Sequence, residues 1–379
     1  MVRDSRSYDV IVVGGGLAGL SSAIHLSKEK LNVLIIEKSQ YPKHKVCGEY
    51  ISNEVLPYLK FLGIDVFELG AKKINRFELS TVKNQLISTQ LPLGGFGISR
   101  FCIDYAMVKK AQEEGAELLN ALVEDIQFKN DEFTVITKEK THYKGKLVIG
   151  AFGKRSNLDV KLNRKFIRRK SPYLAVKTHV NGTFPEDLVA LHNFQGGYCG
   201  VSKVETEAIN LCYITSYNSF KKHKSIEDFQ RQVVFKNQYL KAIFNSSTTV
   251  FDQPLTISQI SFEDKQPVEN HIIMCGDTAA LIHPLCGNGM GMAIKSAQLA
   301  SLLIIKWHNG VIESREALEK EYIREWSKTF RSRLKTGRIV SRLFDKPKLS
   351  EFLMQLLKWM PGILPHIIKR THGEIMRIE

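Results

Sequence analysis

The sequence predicts an α/β fold in which a parallel, helix-covered sheet is interrupted by a second, sheet-based domain and followed by a helical tail. Three observations support this prediction. Short, apolar, β-branched runs such as Val10–Val13 are typical of parallel strands buried on both faces. Polar alternation over 173–260 indicates a separate sheet with one exposed face. Apolar residues at helical spacing dominate 314–378.

The first strand ends in a glycine-rich turn, Gly14-Gly15-Gly16-Leu17-Ala18-Gly19, which opens a helix. Gly14 suits the sharp turn, Gly16 lets a backbone approach a pyrophosphate, and Gly19 lets helix and strand pack closely. The free N–H groups at the helix start suit the phosphates. A second strand, 32–36, leads into Glu37, whose carboxylate can accept hydrogen bonds from ribose hydroxyls. This order of elements predicts a site for an adenine dinucleotide.

Composition narrows the class of protein. A chain of 379 residues, 43% hydrophobic and 25% charged, is long enough for a large core and two domains. The six cysteines are scattered without CxxC pairs, which favours reduced thiols in a cytoplasm and predicts no metal site. We expect neither a secretory signal nor a membrane-spanning segment. The predicted location is cytoplasmic, with a peripheral position at a membrane as the alternative.

The net charge of +15 is concentrated in 154–170 and beyond Arg324. Neither region interleaves aromatic residues as nucleic-acid platforms do, so we expect no nucleic-acid partner. A basic surface of this kind is compatible with solvent, with an anionic membrane, or with an acidic electron-donor or carrier protein.

The other elements follow from local patterns. A polar loop over 41–50 precedes a helix capped by Ser52 or Asn53. Strands are predicted at 76–80 and 85–90, with 91–97 as a glycine-rich return, and a helix at 102–114. We expect 118–122, 123–128 and 133–137 to form a meander. Buried strands are predicted at 146–149 and 271–275, a helix near 226–235, and a long helix at 289–307.

Two further stretches fit the same dinucleotide. Asp277 follows a buried strand, where its carboxylate suits a ribityl hydroxyl. Pro284 and the Gly287-Asn288-Gly289 turn open a helix, whose amino terminus suits a charged ring edge or a pyrophosphate. Arg100, which starts another helix, could pair with a phosphate or cover the ring.

With these motifs the chain resembles the FAD proteins of the p-hydroxybenzoate hydroxylase fold. Pro42-x-x-Lys45-x-Cys47-Gly48 and the run Pro284–Met290 are most similar to the geranylgeranyl reductase branch. The resemblance spans roughly 8–305. It implies a Rossmann-like FAD-binding domain (p-hydroxybenzoate hydroxylase-like) with an inserted β-sheet substrate domain and a helical C-terminal tail.

The resemblance also implies roles for single residues. FAD would be bound by Gly14, Gly16, Leu17, Ala18, Gly19, Glu37, Lys38, Arg100, Asp277, Pro284, Gly287, Asn288, Gly289 and Met290. Gly287 to Met290 would line the pyrimidine edge of the flavin. Cys47 would lie beside the flavin near the substrate as the catalytic candidate. The alternative for Cys47 is a small packed hydrophobe.

Three departures from the resembled families bear on the reaction. Phe152 stands where the hydroxylases keep an aspartate that supports pyridine-nucleotide use, so NAD(P)H use is left open. Leu281 replaces the histidine common after Gly-Asp-Ala-Ala, and His283 is displaced from that position. The aromatic Gly-Tyr-x-Trp-x-Phe-Pro motif of prenyl reductases is reduced to Gly197-Tyr198-Cys199-Gly200-Val201-Ser202-Lys203.

The predicted FAD-binding domain is discontinuous (1–75, 98–170 and 262–310). The substrate sheet takes 76–97 and 171–261, and the tail takes 311–379. The expected enzyme is an FAD-dependent oxidoreductase that transfers hydride to or from a small hydrophobic, isoprenoid or aromatic substrate, as in geranylgeranyl reductases. The alternative is a monooxygenase that hydroxylates an aromatic substrate through a flavin C4a-peroxide. A halogenase or a non-catalytic FAD protein is disfavoured.

The tail carries an apolar stripe flanked by basic residues. Such basic amphipathic helices can lie at a membrane interface, although they more often pack on their own domain. The stripe consists of Phe352, Leu353, Leu356, Leu357, Trp359, Met360, Ile363, Leu364, Ile367 and Ile368, with Lys346, Lys348, Lys358, Lys369 and Arg370 beside it and Pro361 and Pro365 expected to break it.

Overall fold

The structure is a computed structural model that describes residues 7–169, 171–344, 347–360 and 362–378. Lys346 and Pro361, together with the side chains of Lys348, Phe352 and Leu353, lie outside the described part of the predicted tail stripe. No helix among the described residues is long and apolar enough to cross a membrane.

The elements, in chain order, are β1 (Ser7–Val13), α1 (Leu17–Lys28), β2 (Val33–Glu37), β3 (Tyr50–Ser52), α2 (Leu56–Phe61), β4 (Lys72–Ser80), β5 (Leu86–Gly97), α3 (Arg100–Glu113), β6 (Glu117–Asn120), β7 (Val123–Lys129), β8 (Glu132–Thr137), β9 (His142–Gly150), α4 (Asn157–Lys161), β10 (Tyr173–Asn181), β11 (Leu188–Phe194), β12 (Gly197–Lys203), β13 (Ile209–Ser216), α5 (Tyr217–Phe220), α6 (Ile226–Gln232), α7 (Gln238–Asn245), β14 (Thr248–Thr249), β15 (Leu255–Ser258), β16 (Val268–Glu269), β17 (Ile272–Met274), α8 (Gly289–His308), α9 (Arg315–Phe344), α10 (Pro347–Trp359) and α11 (Ile363–Thr371).

The first sheet has the order β16-β17-β9-β1-β2-β6, with β7 and β8 extending from β9. The strands β17, β9, β1, β2 and β6 run parallel. Val10 to Val13 are almost fully buried, because they pack in one hydrophobic core with side chains of α1, α3 and α8. The predicted parallel, helix-covered sheet is therefore confirmed.

The second sheet has the order β14-β10-β13-β12-β11-β4-β5-β3, with β15 paired to β10. Its pairs are antiparallel except for β11 and β4. One face packs on α6 and α7. The other faces the first sheet and the tail helices. The predicted α/β fold with a second sheet and a helical carboxyl-terminal region is confirmed.

Three local predictions were wrong. Residues 91–97 continue β5 instead of turning, because glycines there admit close neighbours: a Cβ on Gly97 would lie 2.0 Å from the Lys203 carbonyl oxygen. The strand β6 pairs with β2 in the main sheet and leaves the meander to β7, β8 and β9. Pro365 does not break a helix but lies in the first turn of α11, where proline is tolerated.

Candidate functional site

One continuous cavity of about 1250 Å³ lies between the two sheets. Its walls include every residue predicted to bind FAD or to act in catalysis except Gly19: Gly14, Gly16, Leu17, Ala18, Glu37, Lys38, Cys47, Arg100, Asp277, Pro284, Gly287, Asn288, Gly289 and Met290. The predicted residues thus come from six separate stretches and meet around one space. The cavity has a polar, basic end at β1 and β2 and an apolar end under the second sheet.

The three motif glycines have different structural roles. A Cβ on Gly14, whose φ is +106°, would lie 2.3 Å from the Ala151 carbonyl oxygen, and a Cβ on Gly19 would lie 2.0 Å from the Gly14 oxygen. Both glycines are therefore needed for the turn itself. A Cβ on Gly16 would meet only the Arg100 guanidinium, at 3.7 Å. Gly16 thus faces open cavity at the start of α1, which is the space that a pyrophosphate needs.

Glu37 lies at the end of β2 on the cavity wall. Its Oε2 accepts a hydrogen bond from the Gly15 N–H at 2.7 Å, and its Oε1 accepts one from the Ser39 N–H at 2.9 Å. These bonds fix the carboxylate in place. Because each carboxylate oxygen has two lone pairs, both oxygens keep capacity for a ribose hydroxyl.

Arg100 faces the same turn, but its guanidinium is already paired. Nε and Nη2 each donate to Asp104 at 2.7 Å, and Lys45 donates to the same carboxylate at 2.8 Å. Burial alone would raise the pKa of Asp104, but Arg100 and Lys45 outweigh burial and hold the pKa below its ordinary value, so this carboxylate is ionised. The triad leaves a net positive charge beside the open face of Gly16, which suits a diphosphate. The i,i+4 spacing of Arg100 and Asp104 was the sequence signal for this pair, which was not predicted.

Asp277 and the Gly287–Met290 turn form the opposite wall. Asp277 lies in a helical turn after β17, and its carbonyl oxygen accepts a hydrogen bond from the buried Lys265 ammonium at 2.6 Å. Burial lowers the pKa of Lys265 to about 8. Gly287 has a φ of +62°, which turns the chain into α8. The Asn288 side chain donates to the Thr371 carbonyl oxygen at 3.0 Å, so this turn also holds the tail.

Cys47 lies opposite that turn, with its Sγ 3.4 Å from the Met290 Sδ. Its loop is held from the second sheet. Asn210 on β13 donates to the carbonyl oxygens of Cys47 at 3.3 Å and of Gly48 at 2.8 Å, and the Lys177 ammonium on β10 donates to the Lys45 carbonyl oxygen at 3.2 Å. The thiol position is therefore fixed by strands far away in the sequence.

The anchor of this loop is Glu49, which is fully buried with a φ of +53°. Its carboxylate accepts hydrogen bonds from the Arg100 N–H at 2.8 Å, from the Lys177 ammonium, and from the His179 Nε2 at 2.7 Å. Burial would raise the pKa of Glu49, but His179 and Lys177 lower it below its ordinary value. His44, whose pKa is lowered to about 4 by burial and by Lys177, lies against His179 with ring centroids 5.2 Å apart.

This network was not predicted from the sequence. Lys177 and His179 lie two positions apart on a buried strand, so both point to the same face of β10. Two charged residues at that spacing in a buried strand were the available signal. Their partner Glu49 lies more than 120 residues away in the chain, and no local pattern links them.

The far end of the cavity is an apolar chamber under β4, β5, β11, β12 and β13, closed by the tail helices. Its lining contains no charged side chain among the described residues: Tyr50, Phe77, Leu79, Leu91, Ala175, Val189, Leu191, Tyr198, Gly200, Ile214, Leu281, Leu356, Leu357, Ile363, Leu364, Ile367, Ile368, Thr371 and His372. Gly200 corresponds to the tryptophan of the prenyl-reductase motif. A Cβ there would find ordinary contacts at 3.6 Å, with Leu191.

The other two departures from the resembled families are at Phe152 and His283. Phe152 lines the polar end of the cavity after β9. His283 lies outside the cavity lining, packed against the rings of Phe262, Tyr198 and Tyr173 with centroids 4.7, 6.0 and 6.4 Å away. Burial lowers its pKa to about 4, so the imidazole is neutral.

Comparisons with known proteins agree with the cofactor assignment. The FAD binding domain family matches residues 9–45. Conditioned medium factor receptor 1 of Dictyostelium discoideum is 24% identical over 86% of this chain and 69% of its own length. Digeranylgeranylglycerophospholipid reductase of Methanosarcina acetivorans is 24% identical over 89% of this chain and 84% of its own length. The flavin-dependent brominase Bmp2 has the same fold, with a TM-score of 0.79, 18% identity, and coverage of 96% of this chain and 93% of the brominase.

Proposed function

We propose that this chain, which is an FAD-dependent oxidoreductase, hydrogenates a carbon–carbon double bond of an isoprenoid-type substrate. The observation that carries the proposal is the apolar chamber, which is continuous with the FAD cradle and has no charged lining residue in the described chain. A long hydrocarbon substrate suits such a chamber, because each methylene removed from water contributes ~0.8 kcal/mol.

Saturation of a double bond needs a hydride on one carbon and a proton on its neighbour. Bound FAD, once reduced by an external two-electron donor, supplies the hydride. The chain supplies the rest. The Gly14–Gly19 turn and Glu37 hold the ADP half, and Asp277 with Gly287–Met290 line the opposite wall. The chamber walls orient the chain of the substrate and exclude water.

Cys47 is the proposed proton donor. Its thiol lies at the junction between the cofactor end and the chamber, beside Met290. Glu49, Lys177 and Asn210 hold its loop against the second sheet, so the thiol has a defined position. A fixed donor within reach of the second carbon is what general acid catalysis requires. The deprotonated sulfur would regain its proton from solvent after product release.

The archaeal relative supports this chemistry, since its name assigns it the reduction of a lipid with prenyl chains. A second candidate is hydroxylation of an aromatic ring. It is favoured by Gly200, which leaves the chamber wider than a tryptophan at that position would. Phe152, in place of the hydroxylase aspartate, favours the reductase and a donor other than NAD(P)H.

The proposed partners are a small hydrophobic substrate, an electron-donor or carrier protein, and a membrane surface. The tail supports the last of these. The inner side chains Leu357 and Leu364 are buried at the chamber, whereas Trp359 is 88% exposed and Met360 52% exposed. Exposed Lys358 and Lys369 flank them. An amphipathic surface with exposed tryptophan and basic residues suits an anionic bilayer that delivers an apolar substrate.

Product analysis tests the proposal. Dithionite-reduced holoenzyme is incubated without oxygen with geranylgeraniol, and the extract is analysed by mass spectrometry. We expect products heavier by two hydrogen atoms for each double bond reduced. An unchanged substrate under these conditions, together with a product that has gained an oxygen atom when air is admitted, would favour hydroxylation instead.

A further inference from the structure

Two residues that line the apolar chamber each have a buried polar atom with no hydrogen-bond partner among the described residues. These atoms are the Tyr50 hydroxyl oxygen and the His372 Nε2. Both residues line the cavity, and their rings lie edge to face with centroids 6.3 Å apart. An unpaired buried polar atom costs about 1–3 kcal/mol. Two such atoms, on neighbouring rings that both line one chamber, favour a ligand group that pairs with them.

The position of the Tyr50 ring is fixed by two glycines. A Cβ on Gly95 would lie 2.3 Å from the Tyr50 Cε2, and a Cβ on Gly287 would lie 3.5 Å from the other edge of the ring. The ring thus fills the space between β5 and the turn that opens α8. Burial raises the pKa of Tyr50 above its ordinary value, so the phenol keeps its proton. Its hydroxyl can both donate and accept a hydrogen bond.

The protonation state of His372 follows from its other nitrogen. Nδ1 lies 2.9 Å from the Ile368 carbonyl oxygen. Because a carbonyl oxygen can only accept, Nδ1 carries the proton. Burial lowers the pKa of His372, so the ring is neutral and Nε2 is a bare acceptor. This nitrogen can be paired only by a group that donates.

The tail is clamped where His372 lies. Asn288 donates to the Thr371 carbonyl oxygen at 3.0 Å, and the Gly373 N–H donates to the buried Glu54 carboxylate. The Met376 N–H donates to the Glu54 carbonyl oxygen at 2.9 Å. These bonds join the end of α11 to the turn beside the FAD cradle. The imidazole is therefore held as firmly as Tyr50.

We propose that Tyr50 and His372 bind a hydroxyl group of the substrate, so that the substrate is an apolar alcohol or phenol. A hydroxyl satisfies both atoms, because it donates to the His372 Nε2 and accepts from the Tyr50 hydroxyl. An ether or ester oxygen can pair only with Tyr50, and a hydrocarbon with neither. The inference rests on the proposed function, since it concerns the substrate of the same chamber. Tyr50 and His372 are then specificity determinants, because they set which part of the substrate meets the flavin.

Calorimetric titration of oxidised holoenzyme tests the inference without turnover. The probes are geranylgeraniol, its methyl ether, and the corresponding prenyl hydrocarbon. We expect the alcohol to bind about tenfold tighter than the ether, from one lost hydrogen bond and one unpaired acceptor. Tyr50→Phe and His372→Phe should each weaken alcohol binding by a similar factor, with hydrocarbon binding little changed. Tyr239→Phe, which removes a hydroxyl outside the cavity, is the control and should leave all three affinities unchanged.

The outcomes separate the two ideas. Equal binding of alcohol and ether by the unmodified protein overturns the hydroxyl site and leaves the prenyl chamber standing. So does an alcohol preference that survives in both variants, provided that they retain FAD. Failure of all three probes to bind overturns the proposed function and this inference with it.

Discussion

The glycine turn offers a sharp test, because two of its residues should respond in opposite ways to the same added methyl group. In Gly16→Ala the new Cβ enters open cavity, with only Arg100 at 3.7 Å, and the φ of −89° at this position is accessible to alanine. We expect a folding free energy within about 1 kcal/mol of the unmodified protein. The methyl group takes space needed by the pyrophosphate. An overpacking cost of about 1–3 kcal/mol corresponds to a roughly 5- to 150-fold weaker FAD affinity.

In Gly19→Ala the same methyl group would lie 2.0 Å from the Gly14 carbonyl oxygen and 3.1 Å from a Val12 methyl group. The helix must then move off β1, so the apoprotein itself should lose about 1–3 kcal/mol. The assay is urea unfolding of both apoproteins, followed by FAD titration monitored by quenching of flavin fluorescence. If Gly16→Ala binds FAD as tightly as the unmodified protein, or if Gly19→Ala apoprotein is fully stable, the assignment of these roles is wrong.

The remaining predictions concern the catalytic loop and the electron donor. Glu49→Gln leaves the Lys177 ammonium buried without a counter-charge, and urea unfolding at neutral pH should show a loss of about 3–5 kcal/mol. The pKa of Glu49 is held below its ordinary value of 4.5, so the stability that the carboxylate contributes is present above that pH and is lost as pH falls through the folded pKa. The Glu49→Gln variant should therefore show a weaker dependence of its unfolding free energy on acid pH. An acid dependence equal to that of the unmodified protein would contradict the network. The Cys47→Ala variant should bind FAD normally, and its flavin should accept electrons normally, but the variant should fail at product formation. The Cys47→Ser variant should be less impaired. Normal turnover by the Cys47→Ala variant would refute the proton-donor role and show that the thiol only packs against its neighbours. Anaerobic titration with NADPH and NADH should reduce the flavin slowly, because Phe152 replaces the hydroxylase aspartate, and rapid bleaching of the flavin band by either would refute this.

The cofactor end could be predicted from the sequence because its residues form short contiguous motifs. Gly14, Gly16 and Glu37 lie within one strand–helix–strand unit, and the local order of elements specifies their geometry. The same holds for Asp277 and the Gly287–Met290 turn. Their convergence on one cavity follows from parallel strands that end at the same edge of a sheet.

The parts that were missed depend on contacts between distant segments. Glu49 meets Lys177 across 128 positions, and Glu54 meets Gly373 across 319. Such pairs leave no local periodicity, so Glu49 was assigned only to a loop and His372 only to the helical tail. The misassigned strand over 91–97 has a related cause. Its glycines give room to Tyr50 on the adjacent strand β3 and to the Lys203 carbonyl group on β12, whereas the sequence alone favours a turn.

The most direct test of hydride transfer to the substrate is the reoxidation of the reduced flavin in the absence of oxygen. Reduced holoenzyme is mixed with geranylgeraniol in an anaerobic stopped-flow instrument, and the flavin band is followed with and without the Cys47→Ala change. We predict that the alcohol alone restores the oxidised flavin spectrum in the unmodified protein and that the variant does so far more slowly. A flavin that stays reduced until oxygen is admitted, and then reoxidises as a hydroxylated product forms, would contradict the account.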